Sequence, residues 1–323
     1  MFANQYRFEK ILGQGGMGVV YKAVDERRGL TVAVKLLLLQ SKQKNPENLQ
    51  MAARRLRDEA CAASRLNHAG LVKIYDTGCD EDYGPFIVYE YLSGGSLTDQ
   101  LVEGGLGFNK AIEKVATPLL GALHELHANK ILHRDLKPEN IFLAKDGSYR
   151  LGDFGLAHFD EREAKTKTGS IVGTMAYIAP DRILPPRSKA DESDDCYAAA
   201  HTIIEAITGK HLSHLFQDYN PYLQPSMSLV TPEDLSALGI PLPAAEGLTR
   251  AIHRERENRF YSAKDFLECL QIEQSSTTTT NIGPVRLRPR AKLKSKRPKP
   301  RQQPKSKRAI YALAVLLICS ILV

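Results

Sequence analysis

The segment His-Arg-Asp-Leu-Lys-Pro-Glu-Asn, residues 133–140, constrains this chain more than any other. It places Asp135 five residues before Asn140, and a second acid, Asp153, follows thirteen residues later in an Asp-Phe-Gly triplet. A single triplet recurs by chance in unrelated chains, so the order and the distances are the informative part. At this spacing one carboxylate can accept a proton from a hydroxyl group, while the amide and the second carboxylate can hold magnesium.

A glycine-rich pattern, GxGxxGxV, lies near the start of the chain between two predicted strands, 6–12 and 19–24. Glycines let the backbone of such a hairpin close over phosphate groups without a Cβ in the way. Taken alone, a hairpin turn that binds no ligand explains the pattern equally well. The candidate nucleotide-contacting residues of this hairpin are Leu12, Gly13, Gln14, Gly15, Gly16, Met17, Gly18 and Val20.

The sequence Val-Ala-Val-Lys at residues 32–35 predicts a strand whose period of two places Ala33 and Lys35 on one face. Lys35 can then reach phosphates, whereas a lysine without an acidic partner would simply face solvent. A helix is predicted from about Glu47 to Leu66, and Glu59 is the only charge in its apolar stripe. A lone carboxylate on an apolar face is costly unless it is paired. Glu59 is therefore the predicted partner of Lys35, the alternative being a half-exposed carboxylate at a domain edge.

In this order the motifs resemble those of the eukaryotic-like (Hanks-type) Ser/Thr protein kinases, from residue 6 to about 274. A lysine two residues after Asp135, here Lys137, is typical of the Ser/Thr kinases. The Gly-Gly-Met-Gly loop is similar to that of bacterial transmembrane Ser/Thr kinases. The resemblance implies an α+β fold with two lobes. Residues 6–92 would form a β-rich N-lobe and residues 93–274 a mainly helical C-lobe.

The resemblance also implies that ATP and Mg²⁺, with Mn²⁺ as a possible substitute, bind between the lobes. Asp135 would accept the proton of the substrate hydroxyl, Lys35 would hold the α and β phosphates, and Lys137 would stabilise the γ-phosphate. Asn140 and Asp153 would coordinate the metal. Around the adenine the implied residues are Val20 and Ala33 above, Phe142 below, the gatekeeper Tyr89, and the hinge residues Glu90 and Leu92.

The segment from Leu156 to Pro180 would be the activation loop. Its Thr166 and Thr168 resemble a doubly phosphorylated pair, and two copies of the chain could phosphorylate each other as a homodimer. One departure is Asp181, which stands where the family has Glu, so its pair with Arg259 is expected to be longer or bridged by water. A second lies at residues 195–200, where alanines replace the small polar residues of the family, while Asp195, which supports the catalytic loop, is retained.

After about residue 274 the composition changes. Residues 275–308 are predicted to be a disordered linker, because residues 284–308 contain twelve Lys or Arg, five Pro and no acid. Without those twelve charges the rest of the chain holds 32 basic and 37 acidic residues, a net charge of −5. A nucleic-acid-binding arm is the alternative interpretation, but this segment lacks interleaved aromatic residues.

The last fifteen residues, 309–323, are uncharged and apolar. As a helix they would span roughly 22 Å, short of a hydrocarbon core of about 30 Å, although bilayer thinning and snorkelling can absorb the difference. We expect a C-terminal membrane anchor, the alternative being a core helix that docks on the kinase. The basic flank then places the kinase in the cytoplasm, at the inner (cytoplasmic) membrane of a bacterium, and no secretory signal precedes it.

Five cysteines without a Cys-x-x-Cys pair indicate neither zinc nor disulfides. The expected partners are protein substrates and the membrane, and no nucleic acid is expected. A rival interpretation is a catalytically inactive kinase fold that acts as a membrane-tethered scaffold. Such proteins usually lack one of the strand lysine and the two catalytic acids, and this chain has all three.

Overall fold

Strands come first along the chain and helices follow. The computed structural model describes residues 2–3, 5–15, 18–37, 61–80, 82–153, 176–184, 188–216, 219–222 and 230–271. The chain divides into two units, Met1–Thr278 and Thr279–Val323, and the second lies outside the described residues.

The N-lobe is built on an antiparallel sheet of five strands in the order β1-β2-β3-β5-β4. The two predicted strands of the glycine-rich hairpin are present and somewhat longer than expected. The bounds are β1 Tyr6–Gly15, β2 Gly18–Asp25, β3 Leu30–Leu37, β4 Ile74–Asp80 and β5 Gly84–Glu90.

Alternating residues of β3 and β5 give this sheet two buried faces. Val32 and Val34 of β3 pack with Phe86 and Val88 of β5 in an outer cluster that also contains the ring of Phe2. Phe2 stacks on Phe8 with ring centroids 5.0 Å apart, so the N-lobe core begins earlier in the chain than the glycine-rich pattern indicated.

The opposite face of the sheet joins the main core. Ala33 and Leu37 of β3 and Ile87 and Tyr89 of β5 pack into the large cluster that continues through the C-lobe helices. This face therefore looks toward the cleft between the two lobes, and it carries the side chains that the sequence places around a nucleotide.

The C-lobe surrounds a central buried helix, α5, of which both ends are defined by local signals. Asp191 accepts a hydrogen bond from the backbone of Ser193 at its start, and Gly209 ends it in a left-handed conformation. The α-helices are α1 Leu97–Gln100, α2 Phe108–Ala111, α3 Thr117–Ala128, α4 Pro180–Ile183, α5 Glu192–Thr208, α6 Leu212–Leu215, α7 Pro232–Ser236, α8 Leu242–Ala251 and α9 Ala263–Gln271.

Between α2 and α3 the chain forms a π-helical turn, Ile112–Ala116. Pro118 follows at the start of α3, and proline has no N–H and clashes with the carbonyl one turn earlier in a regular α-helix. The wider turn accommodates that proline, and Thr117 Oγ1 donates to the carbonyl of Ile112 at 2.9 Å. The two helices thus continue into each other across the turn.

A short hairpin completes the C-lobe side of the cleft. Its strands are β6 Ile141–Leu143 and β7 Tyr149–Leu151, and a 3₁₀ turn, Pro138–Asn140, leads into the first of them. Phe142 pairs with Arg150 in this hairpin. The cleft therefore has the five-stranded sheet on one side and the β6–β7 hairpin on the other.

The predicted helix 47–66 is described only in its last part, where residues 61–64 are helical. Leu66 lies beyond the helix in a loop, so the predicted C-terminal boundary was two residues too long. Glu59 lies outside the described residues. Within the described ranges, none of the helices has the length and apolar character that crossing a lipid bilayer requires.

Candidate active site

Strand register brings the predicted nucleotide-contacting side chains of the N-lobe together. Val20 pairs with Lys35, and Ala33 pairs with Tyr89. Directly paired residues share a face of the sheet, and so do residues two apart on a strand. Val20, Ala33, Lys35 and Tyr89 therefore all lie on the face that looks into the cleft. Leu92, predicted in the hinge, and Phe142, predicted below the adenine, pack against the same core.

The glycine-rich hairpin closes where Gly15 pairs with Gly18. Gly18 has a φ of 155°, and a Cβ at this position would lie 2.0 Å from the carbonyl oxygen of Leu36. Only glycine fits there, because the backbone of β3 passes directly beside it. Gly13 and Gln14 lie in the same hairpin and Leu12 is exposed in β1, whereas Gly16 and Met17 lie outside the described residues.

Lys35 is almost fully buried, and its Nζ lies 2.9 Å from Oδ2 of Asp153. The acidic partner predicted from the sequence was Glu59. This residue lies outside the described residues, so its pairing with Lys35 stays a prediction. Asp153 is 27% exposed and has a φ of 57°, a left-handed conformation that costs free energy in a non-glycine residue. The ion pair joins the N-lobe sheet to the Asp-Phe-Gly segment.

A second cluster forms around Asp135. Lys137 Nζ lies 3.0 Å from Oδ1 of Asp135, and Asn140 Nδ2 donates to Oδ2 of Asp135 at 3.1 Å and to its backbone carbonyl at 2.6 Å. The backbone N–H of Gly152 donates to the carbonyl of Asn140 at 2.9 Å. This backbone contact places Asp153, the next residue, beside the Asp135 cluster.

The ring of His133 connects the segment that carries Asp135 with Gly152, the residue before the Asp-Phe-Gly triplet. Its Nε2 lies 2.9 Å from the carbonyl oxygen of Gly152, which can only accept, so Nε2 carries the proton. Its Nδ1 then accepts the backbone N–H of Asp135 at 3.3 Å. Burial lowers the pKa of His133, in keeping with a neutral ring.

Asp195 of α5 holds the backbone of the same segment. Its Oδ2 accepts from the N–H of His133 at 2.8 Å, and its Oδ1 accepts from the N–H of Arg134 at 2.9 Å. His127 Nε2 donates to Oδ2 at 2.8 Å. Burial alone would raise the pKa of Asp195, but the hydrogen bond from His127, the electrostatic influence of the His127 and His133 rings and the N–H of Arg134 together outweigh it, and the pKa lies below its ordinary value. The sequence predicted that Asp195 supports this segment, and these bonds confirm that contact.

Arg134 has a φ of 67°, which makes it, like Asp153, a non-glycine residue in the left-handed region. Strained conformations persist only where surrounding contacts enforce them, and they cluster at functional sites. Here the enforcing contacts are the carboxylate of Asp195 and, for the following residue, the ring of His133. The backbone is thus shaped to present Asp135 rather than to satisfy local preference.

The expectation for Asp181 was wrong. Arg259 Nη2 lies 2.7 Å from Oδ1 of Asp181, a direct ion pair that needs no water, and the Arg259 side chain is fully buried. Arg256 Nε adds a bond of 2.8 Å to Oδ2 of the same carboxylate. Although burial would raise the pKa of Asp181, the hydrogen bond from Ser188 and the two guanidinium charges hold it below its ordinary value. The short side chain of Asp181 still forms direct ion pairs, because the guanidinium groups of Arg259 and Arg256 both lie within hydrogen-bond distance of its carboxylate.

Three residues that contact the site were missed from the sequence: His127, Arg256, and Arg150, whose Nη1 lies 2.7 Å from Oε1 of Glu90. His127 was recognisable as a single imidazole on the buried side of a helix, and Arg256 as a second arginine one turn before Arg259. Arg150 carried no such signal, because a charged residue in a short strand is ordinarily solvated. The predicted phosphorylation sites Thr166 and Thr168 lie outside the described residues.

A two-lobed fold with a catalytic aspartate segment and an Asp-Phe-Gly segment facing a β-strand lysine defines the protein kinases as a class. The chain belongs to the protein kinase domain family, whose model matches residues 6–277. This confirms the fold class and the resemblance that the sequence indicated.

Individual relatives agree with the family. The chain is 36% identical to the serine/threonine-protein kinase PknL of Mycobacterium tuberculosis over 206 residues, which is 64% of this chain and 50% of PknL. It is 32% identical over 271 residues to a Clostridium acetobutylicum protein named as a probable serine/threonine-protein kinase, covering 83% of this chain and 40% of that protein. The chain thus spans half or less of the length of these relatives.

A solved structure shares the fold. Crystalline Rad53 in complex with AMP-PNP superposes with a TM-score of 0.62 and 24% identity. The match covers 81% of this chain and 64% of the Rad53 chain.

Proposed function

We propose that this chain is a serine/threonine protein kinase that transfers the γ-phosphate of ATP to hydroxyl groups of protein substrates. The observation that carries the proposal is the assembled cluster of Asp135, Lys137 and Asn140, next to the ion pair of Lys35 with Asp153. Family membership and the names of the relatives support the reaction type.

The glycine-rich hairpin supports a nucleotide as ligand. Among the residues that the structure describes, a Cβ added to Gly13 or Gly15 would meet no atom within 4 Å, so packing in that part of the chain does not require glycine at either position. Close approach of phosphate groups to the backbone does explain it. Rad53, which shares the fold, was solved with AMP-PNP, an analogue of ATP.

The donor atoms fit a magnesium ion. Asn140 directs its Nδ2 to Asp135, so its amide oxygen can face a cation, and Asp153 brings a carboxylate whose Oδ2 contacts Lys35. Mg²⁺ prefers such hard oxygen ligands and binds proteins through one or two of them together with substrate phosphates. When bound, Mg²⁺ or Mn²⁺ would neutralise charge on the transferred phosphoryl group.

The residues divide the chemical work among them. Asp135 accepts the proton of the substrate hydroxyl as the hydroxyl oxygen bonds to the γ-phosphorus and the bond to the bridging oxygen of ADP breaks. Lys137, 3.0 Å from that carboxylate, offers its charge to the transferred phosphate. Lys35 holds the α and β phosphates, and Glu59 orients Lys35.

Regulation and location extend the proposal. Thr166 and Thr168 are the sites of autophosphorylation between two copies of the chain, because phosphate on this loop can pair with an arginine such as Arg134. The linker 275–308 and the apolar segment 309–323 attach the chain to the cytoplasmic face of a membrane. Thr166, Thr168 and residues 275–323 lie outside the described residues, so these parts of the proposal are supported by the sequence.

The test is phosphate transfer by the full chain from radiolabelled ATP to itself and to casein. We expect phosphoserine and phosphothreonine, and we expect Asp135→Asn to remove the activity while the melting temperature stays within a few degrees of the parent. Asp265→Asn, an exposed acid in α9, is the matched control and should remain active. An inactive parent chain that still binds ADP would instead support the scaffold, and phosphotyrosine as the main product would refute the Ser/Thr assignment.

A further inference from the structure

Arg150 lies in β7, three residues before Asp153, and pairs with Phe142 across the β6–β7 hairpin. Paired residues of antiparallel strands project their side chains from the same face. Arg150 therefore rises from the hairpin on the side where Phe142 forms the floor of the proposed adenine site.

Its guanidinium reaches the other lobe. Nη1 of Arg150 lies 2.7 Å from both carboxylate oxygens of Glu90, the last residue of β5 and the first of the hinge. Nη2 donates to Oδ2 of Asp146 at 3.0 Å, within the turn of its own hairpin. The ion pair thus joins the end of the N-lobe sheet to the hairpin of the C-lobe.

Both ends of the ion pair are held firmly by backbone contacts. Glu90 pairs with Val32 in the sheet, and its N–H donates to the carbonyl of Lys73 at 2.8 Å. Next to Arg150, the N–H of Leu151 donates to the carbonyl of Gly70 at 2.8 Å. The ion pair thus adds a side-chain contact between two anchored backbones, the first hinge residue and the β6–β7 hairpin.

The pair is not an ordinary surface salt bridge. The side chains of Arg150 and Glu90 are only 21% and 23% exposed. Fully exposed ion pairs, by contrast, contribute at most about 1 kcal/mol to stability. Partly desolvated pairs depend strongly on geometry, and removing one partner leaves the other charge uncompensated. Loss of Arg150 would therefore leave the charge of Glu90 uncompensated at the start of the hinge.

We propose that Arg150 is a positioning residue for nucleotide binding, which sets the height of the adenine slot by holding Glu90 of the hinge over the β6–β7 hairpin. The inference rests on the proposed kinase function. The reacting phosphate lies at the other end of the nucleotide, so the effect falls on nucleotide affinity and not on the chemical step.

The test measures the full chain with Arg150→Met, Glu90→Gln and the double variant. We expect each single variant to raise the KM for ATP and the Kd for ADP by about five-fold, with kcat at saturating ATP within about two-fold of the parent. The double variant should bind nucleotide no more weakly than Arg150→Met, because both single changes break the same contact between Arg150 and Glu90. Arg150→Lys, which keeps one donor, should fall between the parent and Arg150→Met.

The matched control is Arg7→Met, which removes an exposed ion pair of 2.6 Å to Glu26 elsewhere on the N-lobe. It should change neither constant. An unchanged Kd for ADP in a folded Arg150→Met variant, or a double variant in which the two effects multiply, would overturn the inference. A parent chain that binds ADP but transfers no phosphate would overturn the kinase proposal alone, and the ADP titrations would still decide the role of Arg150.

Discussion

Replacing Asp195 with Asn should both destabilise the protein and disable the candidate active site. The carboxylate is 2% exposed and accepts three hydrogen bonds, from the backbones of His133 and Arg134 and from the ring of His127. Asn has the same shape but only one acceptor atom. Its best orientation keeps the oxygen at the Oδ2 position, where two bonds survive, and turns its NH₂ group toward the N–H of Arg134.

The magnitude follows from these three bonds. Hydrogen bonds to a buried charge contribute about 1.5–3 kcal/mol each and neutral ones about 1 kcal/mol, so the two surviving bonds lose about 1 kcal/mol each. The third is replaced by two facing donors, and a buried group left unsatisfied costs about 1–3 kcal/mol. We therefore expect the free energy of unfolding to fall by about 3–5 kcal/mol. Activity should fall about a hundred-fold even in folded protein, since a misplacement of about 1 Å at a reacting group has that effect.

Urea unfolding followed by circular dichroism measures the first quantity, because the chain has no tryptophan. Phosphate transfer at a temperature where the variant is folded measures the second. Asp82→Asn makes the same chemical change in an exposed turn and should leave both unchanged. If Asp195→Asn unfolded within 1 kcal/mol of the parent and kept its turnover, the support of the catalytic segment by this carboxylate would be disproved.

Three further outcomes are expected. Burial lowers the pKa of His211 to about 4. Between about pH 6.5 and 4 this residue is therefore protonated in the unfolded protein and neutral in the folded protein. The free energy of unfolding should therefore fall by up to about 1.4 kcal/mol per pH unit between about pH 6.5 and 4, and His211→Asn, which can keep the helix cap, should give a shallower slope in urea titrations. Mass spectrometry after incubation with ATP should find phosphate on Thr166 and Thr168, and a double Ala variant with undiminished turnover would show that they are not a switch. Full-length protein should stay in membranes after a high-salt wash and a chain ending at Arg308 should not; release of the full chain by salt would refute an inserted anchor.

Local sequence patterns predicted those features that depend on neighbours along the chain, such as the face of a strand on which a side chain lies. The period of two in β3 correctly placed Ala33 and Lys35 on one face, because alternation is a property of any extended strand. The order of the catalytic motifs indicated the fold, which the family match confirms. Helix length was less accurate, since the apolar stripe includes Leu66 although the helix ends earlier.

The chain that follows this helix packs closely against another element. A Cβ on Gly70 would lie 2.3 Å from the carbonyl oxygen of Pro118, so the chain after the helix must turn closely against α3. No pattern within the segment encodes the position of that helix. An apolar stripe therefore does not contain the position at which the chain leaves the helix and packs against α3.

Long-range contacts were decided by the tertiary structure in the same way. From the side-chain length of Asp181 a loose pair with Arg259 was expected, yet the buried guanidinium comes within 2.7 Å and Arg256 joins it. The pairing of Arg150 with Glu90 likewise depends on how closely two lobes approach. Sequence determines which groups are available and which face of an element they occupy; the distance between elements is set by the packing of the whole core, and ion pairs respond to that distance.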